Sequence, residues 1–307
     1  MHDHRNLERQ GRRTYWGLMA KGVLSVGKLL ITSASDIKRL RRPKADDARY
    51  ARPVRRYELP TFSPDMRVTT SRDPYLRPTR LCDCRAPEVV ALAHELGAYR
   101  LDDQAYAEAA FHFAKERMVL EIAPIDGVAA TLRRGTGTCF QLITVFIALC
   151  RAAGIPARYK IYATDMIRQW RESVIDVDPL VKKWYDSLGY FLLEGEGEAF
   201  VDGEWRVAHV GPTAERQAAA GIPITRFGED SLGIWFFAQP GTIMRLEALP
   251  PMLAGGSRAL YRISPGSMER INISILRQIA KGGQIIGDQG GLEAYDAWAR
   301  SQRPQTA

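Results

Sequence analysis

The run from Leu142 to Ala153 constrains this chain more than any other stretch. It contains no Pro or Gly and no charge before Arg151, and it stops at Gly154-Ile155-Pro156. Glycine just past a last helical turn, with proline soon after, ends a helix, so the run is expected as a buried helix. Gly135-Thr136-Gly137-Thr138 precedes it as a turn and delivers Cys139 to the helix start. Free backbone N–H groups and the helix dipole there stabilise an anion, and a thiolate is one. Beyond the stop, Ala157 to Ala163 alternates as a strand does. On position alone Cys139 has two open roles, a nucleophile or a small buried hydrophobe.

The flanking residues add to this. Gly137-Thr138-Cys139, followed by Leu149-Cys150-Arg151-Ala152-Ala153-Gly154-Ile155-Pro156-Ala157-Arg158, resembles the transglutaminase-like family of papain-fold cysteine enzymes. The resemblance spans Leu101 to Thr213. It implies an α+β fold, with the cysteine at the N-terminus of a buried helix packed on an antiparallel sheet; helical N- and C-terminal extensions are expected outside it, from the residue patterns there. The expected organisation is a basic arm over 1–60, a core over 61–220 and a C-terminal extension over 221–307 packed on that core.

The stretch from Tyr190 to Thr213 is the second informative one. Asp202-Gly203 between two alternating runs is a strong hairpin signal. A two-residue turn there sets Glu196 opposite His209, with Glu194 a diagonal neighbour on the same face. The family carries a catalytic His on the first strand and an acid four residues after the Trp on the second. Here those positions fall on Glu194 and, counting from Trp205, on His209, so the two residue types look exchanged.

Three arrangements follow. In the first, Cys139 is the nucleophile, His209 the base, and Glu194 or Glu196 orients the imidazole. In the second, Glu194 itself faces Cys139 and raises its pKa, leaving a degenerate scaffold that binds a peptide or a partner protein. In the third, the register differs by two and Glu196 is the facing acid. The first is favoured, because a helix-start cysteine together with a hairpin His–Glu pair would be an odd accident in a dead site. Its chemistry is acyl transfer or amide hydrolysis through an acyl-enzyme, on a peptide, amide or thioester substrate, with release to water or an amine. The backbone N–H of Cys139 is the natural oxyanion donor; Gln141 has no assignable place. No cofactor is expected, and no metal: Cys82-Asp83-Cys84 lacks a second ligand pair, and no acidic calcium loop is present.

Charge is unevenly distributed. Residues 1–60 hold 15 Lys/Arg against 6 Asp/Glu, so the net charge of +8 belongs to the arm. Nucleic-acid binding by the whole chain is therefore not expected. Tyr15 to Ile31 is apolar but holds Lys21, Lys28 and three glycines, which argues against a bilayer-spanning helix. Basic flanks at Arg9, Arg12, Arg13 and at Lys38, Arg39, Arg41, Arg42 suit a helix lying on an anionic membrane surface. The competing expectation is docking on the chain's own body or on a second subunit. Four cysteines do not make a disulfide framework, and Met1 runs straight into polar residues, so a cytoplasmic location, peripheral at a membrane in the surface-helix reading, is expected.

Elsewhere, Pro87 to Met118 reads as helices, with His94 and His112 packed or at the surface rather than catalytic. Ser231 to Phe237 is apolar and is expected in the core. Met268 to Lys281 is expected as an amphipathic helix closed by Gly282-Gly283, and Leu292 to Arg300 as a short closing helix.

Overall fold

The computed structural model describes residues 16–17, 20–22, 24–25, 27–28, 31–40, 50–230 and 237–302. Arg9, Arg12, Arg13, Arg41, Arg42 and the apolar residues 231–236 lie outside them; Phe237 is exposed. In chain order the helices are α1 (Ala34–Leu40), α2 (Pro87–Glu95), α3 (Asp103–His112), α4 (Val128–Arg134) and α5 (Cys139–Ala152). After these come α6 (Pro179–Leu188), α7 (Ala214–Ala219), α8 (Pro251–Ile263), α9 (Pro265–Asp288) and α10 (Leu292–Ser301).

Two short strands, β1 (Val119–Leu120) and β2 (Thr136–Gly137), pair in parallel and lead into α5. The main sheet is antiparallel and runs β5 (Glu204–Ala208), β4 (Phe191–Val201), β3 (Ala157–Asp165), with β6 (Phe237–Ala238) and β7 (Met244–Leu246) both on the far edge of β3. This is an α+β architecture in which the helix that begins at Cys139 packs on an antiparallel sheet.

Helix α5 starts where it does because Thr138 and Gln141 form a reciprocal capping box. Each side chain accepts from the other residue's backbone N–H, which satisfies two donors the helix leaves free. Gln141 Nε2 also donates to Asp126 Oδ1 at 2.6 Å, so Gln141 fixes the cysteine turn. Every residue of α5 after Cys139 is buried, in keeping with its unbroken apolar run. Arg151 is fully buried too, and its guanidinium donates to the carbonyls of Arg77, Ala157 and Glu247 at 2.7–3.0 Å. One helix-end cation thereby ties α5 to the start of β3 and to two outer segments.

The β4–β5 hairpin has the expected register, with Phe200 opposite Trp205 and Gly197 opposite Ala208. Asp202 and Gly203 both take positive φ (52° and 81°), as a type I′ turn requires. One face of β4 is glycine because α5 lies on it: a Cβ at Gly197 would fall 2.7 Å from the Phe146 ring. The opposite face carries Glu194, Glu196 and Glu198, which sit across from Tyr162, Lys160 and Arg158 of β3.

Two readings of the C-terminal part need correction. Gly282-Gly283 does not end a helix, since α9 runs on to Asp288. Gly282 is where α9 crosses α7, and a Cβ there would lie 1.7 Å from the Glu215 carbonyl oxygen. Glycine marks close approach here, not termination. The same helix also begins earlier than expected, at Pro265 rather than Met268.

Near the N-terminus, Asp36 of α1 pairs with Lys183 of α6 at 2.6 Å, and Ser25 hydrogen-bonds Ser187. Among the described residues no helix is long and apolar enough to cross a membrane.

Candidate active site

Cys139 is the first residue of α5 and is partly exposed, unlike the buried Cys82, Cys84 and Cys150. It borders a cavity of about 60 Å³ whose lining includes Glu194, Gly211, Trp170, Arg216 and Ile275. Its walls come from the α5 start, the 120–122 segment, the 166–174 segment, strand β4, the 211–212 segment after β5 and α7, with α9 closing over them through Ile275.

Glu194 is the acid at this cavity. Its Oε1 accepts from the backbone N–H of Gly195 at 3.0 Å. Burial pushes its carboxyl up to about 7; the Gly195 N–H and the Arg216 charge oppose the rise, and Glu196 adds to it. Gly211 leaves space between thiol and acid, since a Cβ there would lie 3.0 Å from Cys139 Cβ and 3.7 Å from Glu194 Oε1. Burial, then the Glu194 carboxylate, pushes the Cys139 thiol well above its ordinary value. The backbone N–H groups of Phe140 and Cys139 and the Arg216 charge pull the other way without prevailing.

His209 occupies a different setting. It is fully buried opposite Glu196, as the register requires, with Nδ1 4.0 Å from Glu196 Oε1. Lys160 Nζ stands 2.9 Å from Glu196 Oε2 and 3.0 Å from Asp230 Oδ2. Burial, together with Lys115 and Lys160, holds the imidazole well below its ordinary pKa, so it is neutral. Of the expected site residues, then, the structure brings Cys139 and Glu194 to one cavity and sets the neutral His209 beside Glu196, which belongs to an ion ladder on β3 and β4. Arg158 and Glu198, 2.5 Å apart, form the next rung of that ladder.

The rung at Glu194 is the one without a cation from β3, because Tyr162 stands opposite. The Tyr162 hydroxyl is buried with no hydrogen-bond partner among the described residues. The charge facing Glu194 comes instead from Arg216 on α7. Sequence reasoning missed Arg216 and Tyr162. Only Tyr162 carried a signal, as the residue that breaks the Arg158, Lys160 series along β3.

Lys115 anchors the segment that supplies Gly211. Its Nζ donates to the carbonyls of His209 (2.9 Å) and Pro212 (3.1 Å) and to Thr225 Oγ1 (2.8 Å). Burial lowers its pKa from 10.5 to about 7. Between those values the unfolded chain binds a proton that the folded chain does not, so this group makes stability rise with pH; below about 7 its penalty is constant. The stability difference between wild type and Lys115→Met, from urea unfolding, is expected to shift by up to about 5 kcal/mol in favour of wild type from pH 7 to 10.5. A difference independent of pH would mean that Lys115 stays charged throughout.

His94 and His112 are surface-side residues, the latter pairing with Glu116 at 2.6 Å. Among the described residues no group of three or more His, Cys, Asp or Glu side chains is arranged to hold a metal ion.

The family model of the transglutaminase-like superfamily matches residues 91–185. No curated protein matches. Among solved structures, a chain from Cytophaga hutchinsonii described as a "putative cysteine protease" is similar at 18% identity with a TM-score of 0.33. The match covers 62% of this chain and 57% of that one.

Proposed function

We propose that the cavity at Cys139 is a site of cysteine-dependent acyl transfer or amide or thioester hydrolysis, a reading supported by the match of residues 91–185 to the transglutaminase-like family model. In this reading Glu194 exchanges the proton with the thiol. The observation that carries it is the placement of the Glu194 carboxyl, held near neutrality, on the same small cavity as a helix-start cysteine. A base that titrates near the working pH is suited to proton transfer in both directions.

The Cys139 proton passes to the Glu194 carboxylate as sulfur bonds to the substrate carbonyl carbon. The carbonyl oxygen takes the displaced electron pair. The tetrahedral species then collapses, and the departing amine or thiol takes the proton from Glu194. Water or an acceptor amine attacks the acyl-enzyme in the reverse sense and frees the thiol. The His209–Glu196 pair takes no proton from the thiol here. It positions the 209–213 segment from the ion ladder.

A second reading has a specific observation in its favour. The raised pKa of Cys139 suits a binding site for a peptide or partner protein that performs no chemistry. Short acyl thioesters separate the two. Incubation at pH 8 followed by intact and peptide mass spectrometry is expected to show an acyl group on Cys139, absent in Cys139→Ala. Product release with and without an added primary amine then distinguishes hydrolysis from transfer. No Cys139-bound acyl group and no turnover would leave the binding reading.

A further inference from the structure

Arg216 is an arginine buried against the reacting cysteine, and the mechanism above gives it no part. It is 6% exposed and lines the cavity with Cys139 and Glu194. Its guanidinium carbon lies 5.5 Å from the centre of the Trp170 ring, which also lines the cavity. The Nε atom is enclosed with no hydrogen-bond partner among the described residues. Nor does any ion pair hold the guanidinium among those residues. The charges that act on it are Glu194 and Cys139. Burying a guanidinium this way is costly unless something it binds repays the lost hydration.

We propose that Arg216 is the oxyanion-stabilising residue of this site, donating to the carbonyl oxygen of the acyl group as sulfur attacks. This deepens the acyl-transfer reading and rests on it. Charge conservation favours an oxyanion over a substrate carboxylate. As the thiol proton reaches Glu194, one negative charge leaves that carboxylate and one appears on the carbonyl oxygen. The cavity therefore holds a single negative charge opposite Arg216 at the start and at the tetrahedral stage. A carboxylate-bearing substrate would instead place a second anion beside Glu194. A fixed cation where charge develops, in a site of low dielectric, is the arrangement that lowers such a barrier.

The test compares two reactions of Cys139 in the full chain. Acylation by a neutral thioester passes through an oxyanion; alkylation by iodoacetamide does not. In Arg216→Gln, loss of the Arg216 charge is expected to slow alkylation modestly by letting the thiol pKa rise, and acylation to fall about 10²–10³-fold beyond that. Arg216→Lys should recover part of the loss. The alkylation rate is read on the same sample and reports an intact site, so a variant that misfolds is recognised by parallel changes in both reactions; in that case Arg216→Lys carries the comparison. Equal changes in acylation and alkylation in Arg216→Lys would overturn the proposal, as would a rate of acylation indifferent to Arg216. So would a preference of wild-type Cys139 for iodoacetate over iodoacetamide that disappears in Arg216→Gln, since that marks a carboxylate receptor. If wild-type Cys139 accepts no acyl group at all, the acyl-transfer reading itself falls. Acylation that proceeds without help from Arg216 removes this inference alone.

Discussion

Glu194→Gln is expected to make the protein more stable and the site less active. The ordinary carboxyl pKa of 4.5 is raised to about 7 in the fold, with burial as the leading cause. At pH 4 both folded and unfolded chains hold the proton, and the variant and wild type should be equally stable. Between pH 4.5 and about 7 the unfolded chain ionises first, and wild type loses stability that the neutral glutamine does not lose. By pH 8 the variant should be ahead by up to about 3 kcal/mol in urea unfolding. Removing the carboxylate also removes one of the two influences that hold the Cys139 thiol high. Iodoacetamide should therefore alkylate Cys139 faster in the variant at pH 8, while acyl transfer falls by about 10²–10⁴-fold for want of the base. The opposite signs matter: a mere packing defect would slow both reactions and lower stability.

Gly282→Val is the second substitution with a large expected effect. No Cβ fits at this crossing without separating α9 from the backbone of Glu215 in α7. Adjacent to Glu215 is Arg216, and Ile275 lies on α9, so the two helices that would part are both walls of the cavity. We expect a loss of about 3 kcal/mol or more in unfolding free energy. We also expect faster alkylation of Cys139 as α9 lifts away. Gly283→Ala, beside it, meets nothing within 4 Å and should be neutral or slightly stabilising through helix propensity. Equal effects at the two glycines would show that α9 is not seated as described.

These two residues illustrate how legible the chain was. The helix after Cys139, its capping turn, the strand beyond it and the 202–203 hairpin all followed from local patterns. Periodicity, Gly/Pro stops and turn chemistry are written in neighbouring residues. The pairing of Glu196 with His209 followed as well, because a two-residue turn leaves one register. What stayed hidden depends on elements remote in sequence. The opposite face of β4 is set apart by Lys160 and Arg158 of β3 taking Glu196 and Glu198 as partners, which leaves Glu194 to the cavity. Arg216 reaches that cavity from α7, beyond the hairpin in sequence. Gly282 was misread because a glycine that ends a helix and one that admits a second helix look alike in a sequence. The basic arm gave its charge but not its place, and much of it falls outside the described residues.

In the proposed reaction Glu194, not His209, exchanges a proton with Cys139. The most direct measurement is the pH dependence of Cys139 acylation by a neutral thioester, in wild type, Glu194→Gln and His209→Gln. The wild-type rate is expected to rise with a midpoint near 7, and His209→Gln to keep this midpoint. Glu194→Gln should lose it and follow only the thiol's own ionisation at higher pH. A limb that survives in Glu194→Gln and vanishes in His209→Gln would contradict the account and return the base to the imidazole.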